Sequence, residues 1–261
     1  MRARPLNEVH NILRDYTPNI LMNKTTAKLI GLIFTDGCLS PKGVNSWRFY
    51  FSNKSQQLVS IFKESIMQEF ALPEDRIRLG MTSDGLYRAI VDSKEAGQLF
   101  TKRFGTFRTL RYKNGRFPKT HLPVEELIRH NVVKEFLQSA FSCDGGVSLY
   151  VARRKTKNDE AKWLIRGVYL ACAHPRLRKE YIILLKSLGI KSCDAGDGKV
   201  KIRDKKNMEK FYQKVGFIDG VHITHTSKFW PNIEKQKLLE QMIDSYHNPA
   251  ETYLLEQFIL R

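Results

Sequence analysis

The stretch KLIGLIFTDGCLS, residues 28–40, is nearly all apolar and then ends on an acidic residue followed by a glycine. Its composition predicts a largely buried helix that ends at Asp36, where the chain turns into a strand-like segment. A second stretch, EFLQSAFSCDGGVSLY at residues 135–150, ends in the same way on Asp144. The chain therefore contains the same arrangement twice.

The similarity between the two stretches extends to their surroundings. Three positions match at a constant offset of 108 residues: Gly31 with Ser139, Thr35 with Cys143, and Asp36 with Asp144. Further along, KEAGQLFTKRFG (94–105) resembles KNMEKFYQKVG (206–216). Such self-similarity predicts two copies of about 110 residues. We predict an N-terminal half over 1–110, a linker over 111–132, within a segment rich in basic residues, Gly and Pro, and a C-terminal half over 133–261.

Periodicity predicts the same order of elements in both copies. After the first acidic helix end, we predict strands at 46–54, 76–80 and 86–92 and helices at 56–70 and 93–104. In the second copy we predict strands at 147–155, 163–172 and 198–204 and helices at 177–189 and 207–216. The predicted fold class is α+β, with two pseudo-symmetric α-β-β-α-β-β-α halves, each containing an antiparallel sheet.

The chain is strongly basic. It has 44 Lys and Arg residues against 27 Asp and Glu residues, a formal charge of +17, and a pI near 9.7. Solubility does not require so large a charge, so we predict a polyanionic partner, above all a nucleic acid. A ribosome-associated or merely basic protein would have the same charge, which therefore does not identify a DNA enzyme.

Several other classes of site and location are disfavoured. The four cysteines, Cys38, Cys143, Cys172 and Cys193, form no CxxC pair, and the two histidines of HITH (222–225) have no suitable neighbours, so we expect neither zinc nor a disulfide framework. No GxxxxGK[ST] loop for a nucleotide triphosphate is present. Without a secretory signal or an apolar run of roughly 20 residues, we expect a soluble, intracellular protein, in the cytoplasm, nucleoid or an organelle matrix, with no membrane contact.

Alternation along the strands predicts one cationic and polar sheet face. In GKVKIRD (198–204), Val200 and Ile202 point to one face and the basic side chains to the other. A polar sheet face can lie in the major groove of DNA, although for any one strand an ordinary solvated face is the alternative. The predicted DNA-binding side chains are Arg48, Tyr50, Ser52, Lys54, Arg88, Tyr150, Arg154, Lys199, Lys201 and Arg203.

The small residues of the two acidic helices predict that these helices pack together. Gly31 and Thr35 are four residues apart and share a helix face, which lets a second helix approach closely. Asp36 and Asp144 would then lie near each other at the same end of the pair. Two adjacent carboxylates favour a divalent cation such as Mg²⁺, which could activate water beside a phosphate. The alternative is that each Asp-Gly pair only forms a turn.

At these positions the sequence resembles a known family. LIGLIFTDG (29–37) and LQSAFSCDG (137–145) resemble the nine-residue signature of the LAGLIDADG homing endonucleases in their two-motif, single-chain form. The resemblance implies a pseudo-twofold monomer whose two sheets form a saddle on double-stranded DNA and which cuts both strands across the minor groove. It further implies Mg²⁺, with Mn²⁺ or Ca²⁺ able to occupy the same sites, held by Asp36, Asp144 and the backbone carbonyls of Thr35 and Cys143.

The sequence departs from the signature at several positions. Phe34 and Ser142 replace the earlier acid, which is not a metal ligand in the resemblance, and Ser139 replaces the middle glycine of the second copy. For the polar residue that orients water, the first copy offers Asn53 or Lys54. The second copy offers only Cys172 or Ala173, so the two half-sites are predicted to differ.

Basic residues near the metals of the family correspond to Lys113 and Lys228 in this sequence. With Asn53 and the two acids, these lysines complete the predicted catalytic set. The predicted function is an intron-encoded, site-specific endonuclease that makes a metal-dependent double-strand break, by phosphodiester hydrolysis, at a long asymmetric duplex site.

An intact intein is disfavoured because the chain lacks a starting Cys or Ser and a terminal His-Asn. The alternatives with the same fold are a maturase that binds intron RNA and a DNA-binding protein that does not cut. Metal-dependent cutting, or splicing stimulation without cutting, would distinguish them.

Overall fold

The computed structural model describes residues 21–43, 46–155 and 160–247, without the side chains of residues 153–162. The first half contains α1 (Lys24–Thr35), β1 (Gly37–Pro41), β2 (Trp47–Asn53), α2 (Gln56–Phe70), β3 (Ile77–Met81), β4 (Tyr87–Asp92) and α3 (Lys94–Phe104). A short helix, α4 (Val124–Arg129), follows. The second half contains α5 (Val133–Asp144), β5 (Gly145–Lys155), β6 (Glu160–Ala171), α6 (Pro175–Ser187), β7 (Cys193–Asp194), β8 (Lys199–Ile202), α7 (Lys205–Lys214) and α8 (Lys235–Asp244).

The predicted fold class and element order are confirmed. The halves contain one four-stranded antiparallel sheet each, in the orders β1-β2-β4-β3 and β5-β6-β8-β7. Within the described residues, two α-helices are additional to the predicted elements: α4, inside the predicted linker, and α8, at the end of the second half. The proposed boundaries of the two halves and the linker stay a prediction.

Each sheet has one face covered by helices. Phe49 and Phe51 of β2 are fully buried, and the Phe51 ring stacks on Phe62 of α2 at a centroid distance of 5.1 Å. In the second sheet, Val200 and Ile202 are buried in the same way. Because side chains alternate along a strand, the residues between these positions lie on the opposite, uncovered face, which we call the outer face.

The helices α1 and α5 pack against each other between the two halves. Eight of the twelve residues of α1 are buried, as expected for a helix that is apolar on most sides. A Cβ atom at Gly31 would lie 2.6 Å from the carbonyl oxygen of Phe136 and 3.0 Å from Cβ of Ser139. The glycine therefore permits the close approach of the two helices that the spacing of small residues predicted.

Within the described ranges, no helix is both long enough and apolar enough to cross a membrane.

Candidate functional site

The two acids lie at equivalent helix ends. Asp36 caps α1, with its backbone N–H donating to the carbonyl of Leu32, and Asp144 is the last residue of α5. After each acid, the polypeptide turns sharply into a strand. A Cβ at Gly37 would lie 2.5 Å from Cα of Ile33, and a Cβ at Gly145 would lie 2.5 Å from the carbonyl oxygen of Phe141. The tight turn thus explains the glycine of each Asp-Gly pair, but it does not require the acid.

The carboxyl groups of Asp36 and Asp144 act on each other. Burial raises the pKa of Asp144 to about 7, and the negative charge of Asp36 contributes to this rise. Burial also raises the pKa of Asp36, although hydrogen bonds from Asn53 and from the Cys143 thiol oppose the effect. The packing of α1 on α5 therefore places two carboxyl groups in one partly desolvated environment where their charges repel.

Asn53, at the end of β2, contacts the first of these acids. Its Nδ2 donates to Oδ2 of Asp36 at 2.7 Å, while its Oδ1 accepts from the backbone N–H of Ser55 at 2.7 Å. The second hydrogen bond holds the amide in the orientation that the first one needs. The structure thus brings Asn53 to Asp36; Lys54, the other residue considered for this role, is exposed in the same cleft.

The corresponding position of the second half has a different environment. Cys172 is half-buried, its Sγ lies 3.7 Å from the carbonyl oxygen of His174, and burial raises the pKa of its thiol to about 11. Ala173 has no polar side-chain atom. Within the described residues, Asp144 has no counterpart to the amide that Asn53 offers Asp36. The two half-sites differ in this respect.

Lys235, in the first turn of α8, is a buried cation beside the two acids. Its Nζ donates to the carbonyl oxygens of Ser142 at 2.7 Å, Cys143 at 3.3 Å and Gly145 at 2.8 Å. The last carbonyls of a helix have no partner within the helix and have partial negative charge, so an ammonium group is favourable there. Burial lowers the pKa of Lys235, against the opposing effect of the nearby Cys143, Asp36 and Asp144.

Sequence reasoning missed Lys235, although its spacing contained a signal. Lys235 precedes Leu238, Leu239 and Met242 at helical spacing, and all four residues are buried on one face of α8. A lysine at such a position of an apolar stripe is unusual unless its charge is paired or hydrogen-bonded. The helix itself was not predicted, so the stripe was not recognised.

The two lysines expected near the metals do not line the cleft. Lys113 and Lys228 are both exposed, and Nζ of Lys228 lies 5.5 Å from the centre of the neighbouring Phe229 ring. Neither lysine lines the cleft that contains Asp36. The structure brings Lys235 to the acids, and the catalytic role of Lys113 and Lys228 stays a prediction.

A cleft of about 940 Å³ opens beside Asp36. Its walls come from both halves: the end of β2 and the start of α2 on one side, and β5 with residues 220–232 on the other. The predicted site residues that line it are Asp36, Ser52, Asn53, Lys54, Cys143, Tyr150 and Lys199, and Lys235 joins them. Within the described residues, no group of three or more His, Cys, Asp or Glu side chains could by itself hold a metal ion.

Comparison with known protein families finds a match in the second half of the chain. Residues 131–216 match the LAGLIDADG-like domain family. This match includes α5 and Asp144, and the predicted family resemblance is confirmed. A search of curated protein sequences finds no match to this chain.

Solved structures with a similar arrangement include three LAGLIDADG proteins. A mesophilic variant of the homing endonuclease I-DmoI is 15% identical, with a TM-score of 0.45, over 74% of this chain and 90% of the other. The LAGLIDADG meganuclease I-AabMI, bound to uncleaved DNA, is 12% identical, with a TM-score of 0.49, over 92% and 96%. The N-terminal LAGLIDADG domain of WhiA is 13% identical, with a TM-score of 0.44, over 84% and 96%.

The departures from the LAGLIDADG signature have structural roles. Ser142 replaces the earlier acid of the second motif, and its Oγ accepts from the backbone N–H of Ile218 at 2.8 Å. At the same position of the first motif, the ring of Phe34 lies 4.7 Å from that of Phe107. In both halves, this position anchors the segment that follows the last helix of the α-β-β-α-β-β-α unit.

The predicted DNA-binding residues of the first half lie on the outer face of its sheet. Arg48 is opposite Asp92 in the β2–β4 register and donates to both of its carboxylate oxygens, at 2.7 and 3.0 Å. Arg78 donates to the same carboxylate at 2.6 Å, and the hydrogen bond from Arg48 is the main cause of the low pKa of Asp92. Arg48 is thus held in an ion-pair network, whereas Arg88 lies opposite Ser52 on the same face.

The predicted DNA-binding residues of the second half have more varied neighbours. Tyr150 stacks on Phe229 at 5.1 Å, Lys199 lies 4.8 Å from the Tyr169 ring centre, and Lys201 forms an ion pair with Asp197 at 2.6 Å. Arg203 is exposed and follows the end of β8. Tyr50 is half-buried on the outer face of the first sheet. Arg154 belongs to β5, but its side chain lies outside the described residues.

Proposed function

We propose that this protein is an intron-encoded, site-specific DNA endonuclease that makes a metal-dependent break in both strands of a long asymmetric duplex site. The observation that supports this function most strongly is the placement of Asp36 and Asp144 at equivalent ends of two packed helices, with Asp36 lining a cleft whose walls come from both halves. Keeping two partly buried carboxyl groups together costs stability, and such costs are concentrated at functional sites.

The donor atoms of the site fit a hard divalent cation. Asp36, Asp144 and the backbone carbonyls of Thr35 and Cys143 offer oxygen ligands, which Mg²⁺ prefers and which Mn²⁺ and Ca²⁺ also accept. The described residues include no cluster of three acidic, histidine or cysteine side chains that could hold the ion alone. We therefore expect phosphate oxygens and water to complete the coordination. Bound in this way, the cation would polarise the phosphate and lower the pKa of a water molecule.

The surrounding residues orient and neutralise these ligands. The amide of Asn53 donates to one oxygen of Asp36 and so orients the carboxyl group. Lys235 holds the carbonyls at the end of α5 and supplies positive charge where a phosphate would approach. Among the described residues, Asp144 has no amide that corresponds to Asn53, so the two strands should be cut at different rates.

The outer faces of the two sheets supply the proposed DNA-binding surface. Lys54, Arg88, Lys199, Lys201 and Arg203 provide cations for the phosphate backbone, and the polar side chains between them can reach base edges. The predicted monomer would present both sheets to one duplex.

Substitution of either acid tests the proposal. Asp36→Asn and Asp144→Asn keep the size of the side chain but remove the charge that holds the cation, so cleavage should be nearly abolished while binding is kept or tightened. The duplex target would first be recovered by selecting cleaved molecules from a random library. Asp219→Asn, which removes a charge from an exposed loop, is the matched control.

The measurements are cleavage in Mg²⁺ and equilibrium binding for each variant. Robust cutting by both acid variants would contradict the proposed active site. Binding of duplex DNA by the wild-type protein with no cutting would instead favour the non-cleaving DNA-binding alternative, and stimulated splicing of intron RNA with no cutting would favour the maturase.

A further inference from the structure

The segment over residues 105–122, here called the connector, concentrates positive charge. It contains five basic residues and no Asp or Glu: Arg108, Arg111, Lys113, Arg116 and Lys119. The pseudo-equivalent segment of the second half, residues 216–233, here called the second loop, has one lysine and one aspartate, so its net charge is zero. The pseudo-symmetry of the two halves therefore does not extend to the charge of these segments.

The connector runs from the first motif helix to the second half. Near its start, the Phe107 ring packs on Phe34 of α1 at 4.7 Å. Near its end, Nε2 of His174 lies 3.0 Å from the carbonyl oxygen of Pro118, and the His174 ring lies 4.8 Å from that of Phe117. His174 is the N-cap of α6 and comes two residues after Cys172, a neighbour of Asp144. The connector is thereby fixed on the Asp144 side of the site.

The second loop follows the mirrored route. It begins on α5, where Ile218 binds Ser142, and it reaches the start of α2, where a Cβ at Gly220 would lie 3.9 Å from Cγ of Gln57. From Gly220 onward its residues line the cleft, and Phe229 stacks on Tyr150 of β5. Tyr150 alternates with the buried Leu149 and so belongs to the outer face. Pseudo-symmetry accordingly places the connector along the same side of the molecule, on the opposite flank.

Several contacts preorganise the cations of the connector. The guanidinium of Arg108 lies 4.8 Å from the Tyr112 ring centre, and that of Arg111 lies 4.6 Å from the Phe117 ring centre. A turn closed by the hydrogen bond from Tyr112 N–H to the Arg116 carbonyl, at 2.8 Å, exposes residues 111–116. Within the described residues, none of the five basic side chains forms an ion pair with an acid. Their charge is therefore available to a partner.

We infer that the connector is a phosphate-binding arm that holds the DNA backbone on the flank beside the second motif, so that the two flanks of the duplex are held with unequal strength. The inference rests on the proposed function, because it takes duplex DNA as the polyanion on the outer faces. A flexible charged segment would lose more entropy on binding than this anchored one, so preorganisation favours a specific contact over general attraction.

The salt dependence of binding provides the test. The probe is a fluorescent duplex DNA of arbitrary sequence, without metal, and the measurement is the slope of log K against log salt concentration. Each lost phosphate contact should reduce the slope by about 0.9, so Arg116→Gln with Lys119→Gln should reduce it by about 1.8. These two side chains are exposed and are outside the cation–π contacts, which keeps the connector folded.

Two further double variants make the result interpretable. Lys179→Gln with Lys186→Gln removes the same charge from the exposed side of α6, whose buried side covers the inner face of the sheet, and should leave the slope unchanged. Lys54→Gln with Arg88→Gln removes charge from the proposed DNA-binding surface and should reduce the slope. If the α6 pair reduces the slope as much as the connector pair does, the inference is overturned, because the effect then reflects net charge alone.

The outcomes separate this inference from the proposed function. If the Lys54 and Arg88 pair reduces the slope and the connector pair does not, the connector inference is wrong and the DNA-binding function stands. If neither pair has an effect, the DNA-binding function itself fails. If the connector pair reduces the slope more on duplex RNA than on duplex DNA, RNA is the partner of the connector and its assignment to DNA is overturned.

Discussion

Substitution of Gly31 by alanine would disturb the contact that brings the two acids together. The added Cβ would lie 2.6 Å from the carbonyl oxygen of Phe136, whereas carbon and oxygen atoms in favourable contact are about 3.3 Å apart. Because the obstructing atom belongs to the backbone of α5, no side-chain rotation relieves the clash. The helices must separate by about 0.7 Å at this point.

The cost follows from two opposing effects. Overpacking of a core costs about 1–3 kcal/mol, while alanine is favoured over glycine within a helix by up to about 1 kcal/mol. We expect the free energy of unfolding to fall by about 1–2 kcal/mol, which lowers Tm by about 2–8 °C in a chain of this size.

The same displacement should impair cleavage beyond its effect on stability. Asp36 follows Gly31 on α1 by five positions, so a shift of α1 relative to α5 changes the separation of the two carboxylates. A misplacement of about 1 Å can cost about 100-fold in rate. The helix displacement expected here is smaller than about 1 Å, so we expect a loss of cleavage rate of at least about tenfold. The rate should be measured at temperatures well below the melting transition.

Thermal melting and a cleavage assay on the selected duplex would measure both effects. Ser139→Ala is the matched control in the same interface, because it removes a buried hydroxyl that has no hydrogen-bond partner among the described residues. Its melting temperature should stay the same or rise. If Gly31→Ala melts like the wild-type protein, the two helices do not meet there and the reasoning is refuted.

Three further predictions concern the charges of the site and sheet. Lys235→Met should lower the free energy of unfolding by on the order of 3 kcal/mol, because three buried carbonyls lose their donor; melting at the wild-type temperature would contradict this. Calorimetric titration with Mn²⁺ should detect tight binding only when duplex DNA is present, since the protein alone offers too few ligands; tight binding to the free protein would argue against shared coordination. Asp92→Asn should lower Tm at pH 7, because Arg48 and Arg78 lose their acceptor. Since these partners hold the pKa of Asp92 below its ordinary value of 3.8, its contribution is present above pH 4 and is lost as the pH falls further, so the two melting temperatures should converge in acid.

The order of elements could be predicted because it depends on local periodicity. Alternation of apolar residues identified β2, with Phe49 and Phe51 buried as expected, and helical spacing identified α2 at the bounds that the structure shows. The matching Asp36 and Asp144 motifs identified the repeat, and the spacing of small residues on each motif helix predicted that the two helices pack together. The patterns of strand and helix are short-range and are complete within one element, and the repeat is a comparison of two such elements.

Other features of the site depend on contacts between residues far apart in sequence. Arg48 lies on the outer face as expected, but register places it opposite Asp92, 44 residues later, and the two side chains form an ion pair. The position of Lys113 and Lys228 relative to the acids depended on the course of two long loops. No local periodicity describes such loops, because their conformation is set by the surfaces on which they pack.

The sequence by itself determined the two repeated motifs, the alternating faces of the strands and the basic character of the chain, because each is a property of neighbouring residues or of composition. Only the tertiary structure decided which groups surround the acids. Lys235 is 91 residues beyond Asp144, yet its ammonium group binds the carbonyls of Ser142 and Cys143 in the helix that ends there. The physical reason is that burial and hydrogen bonding of a charge depend on which surfaces meet, and that is decided when the whole chain packs.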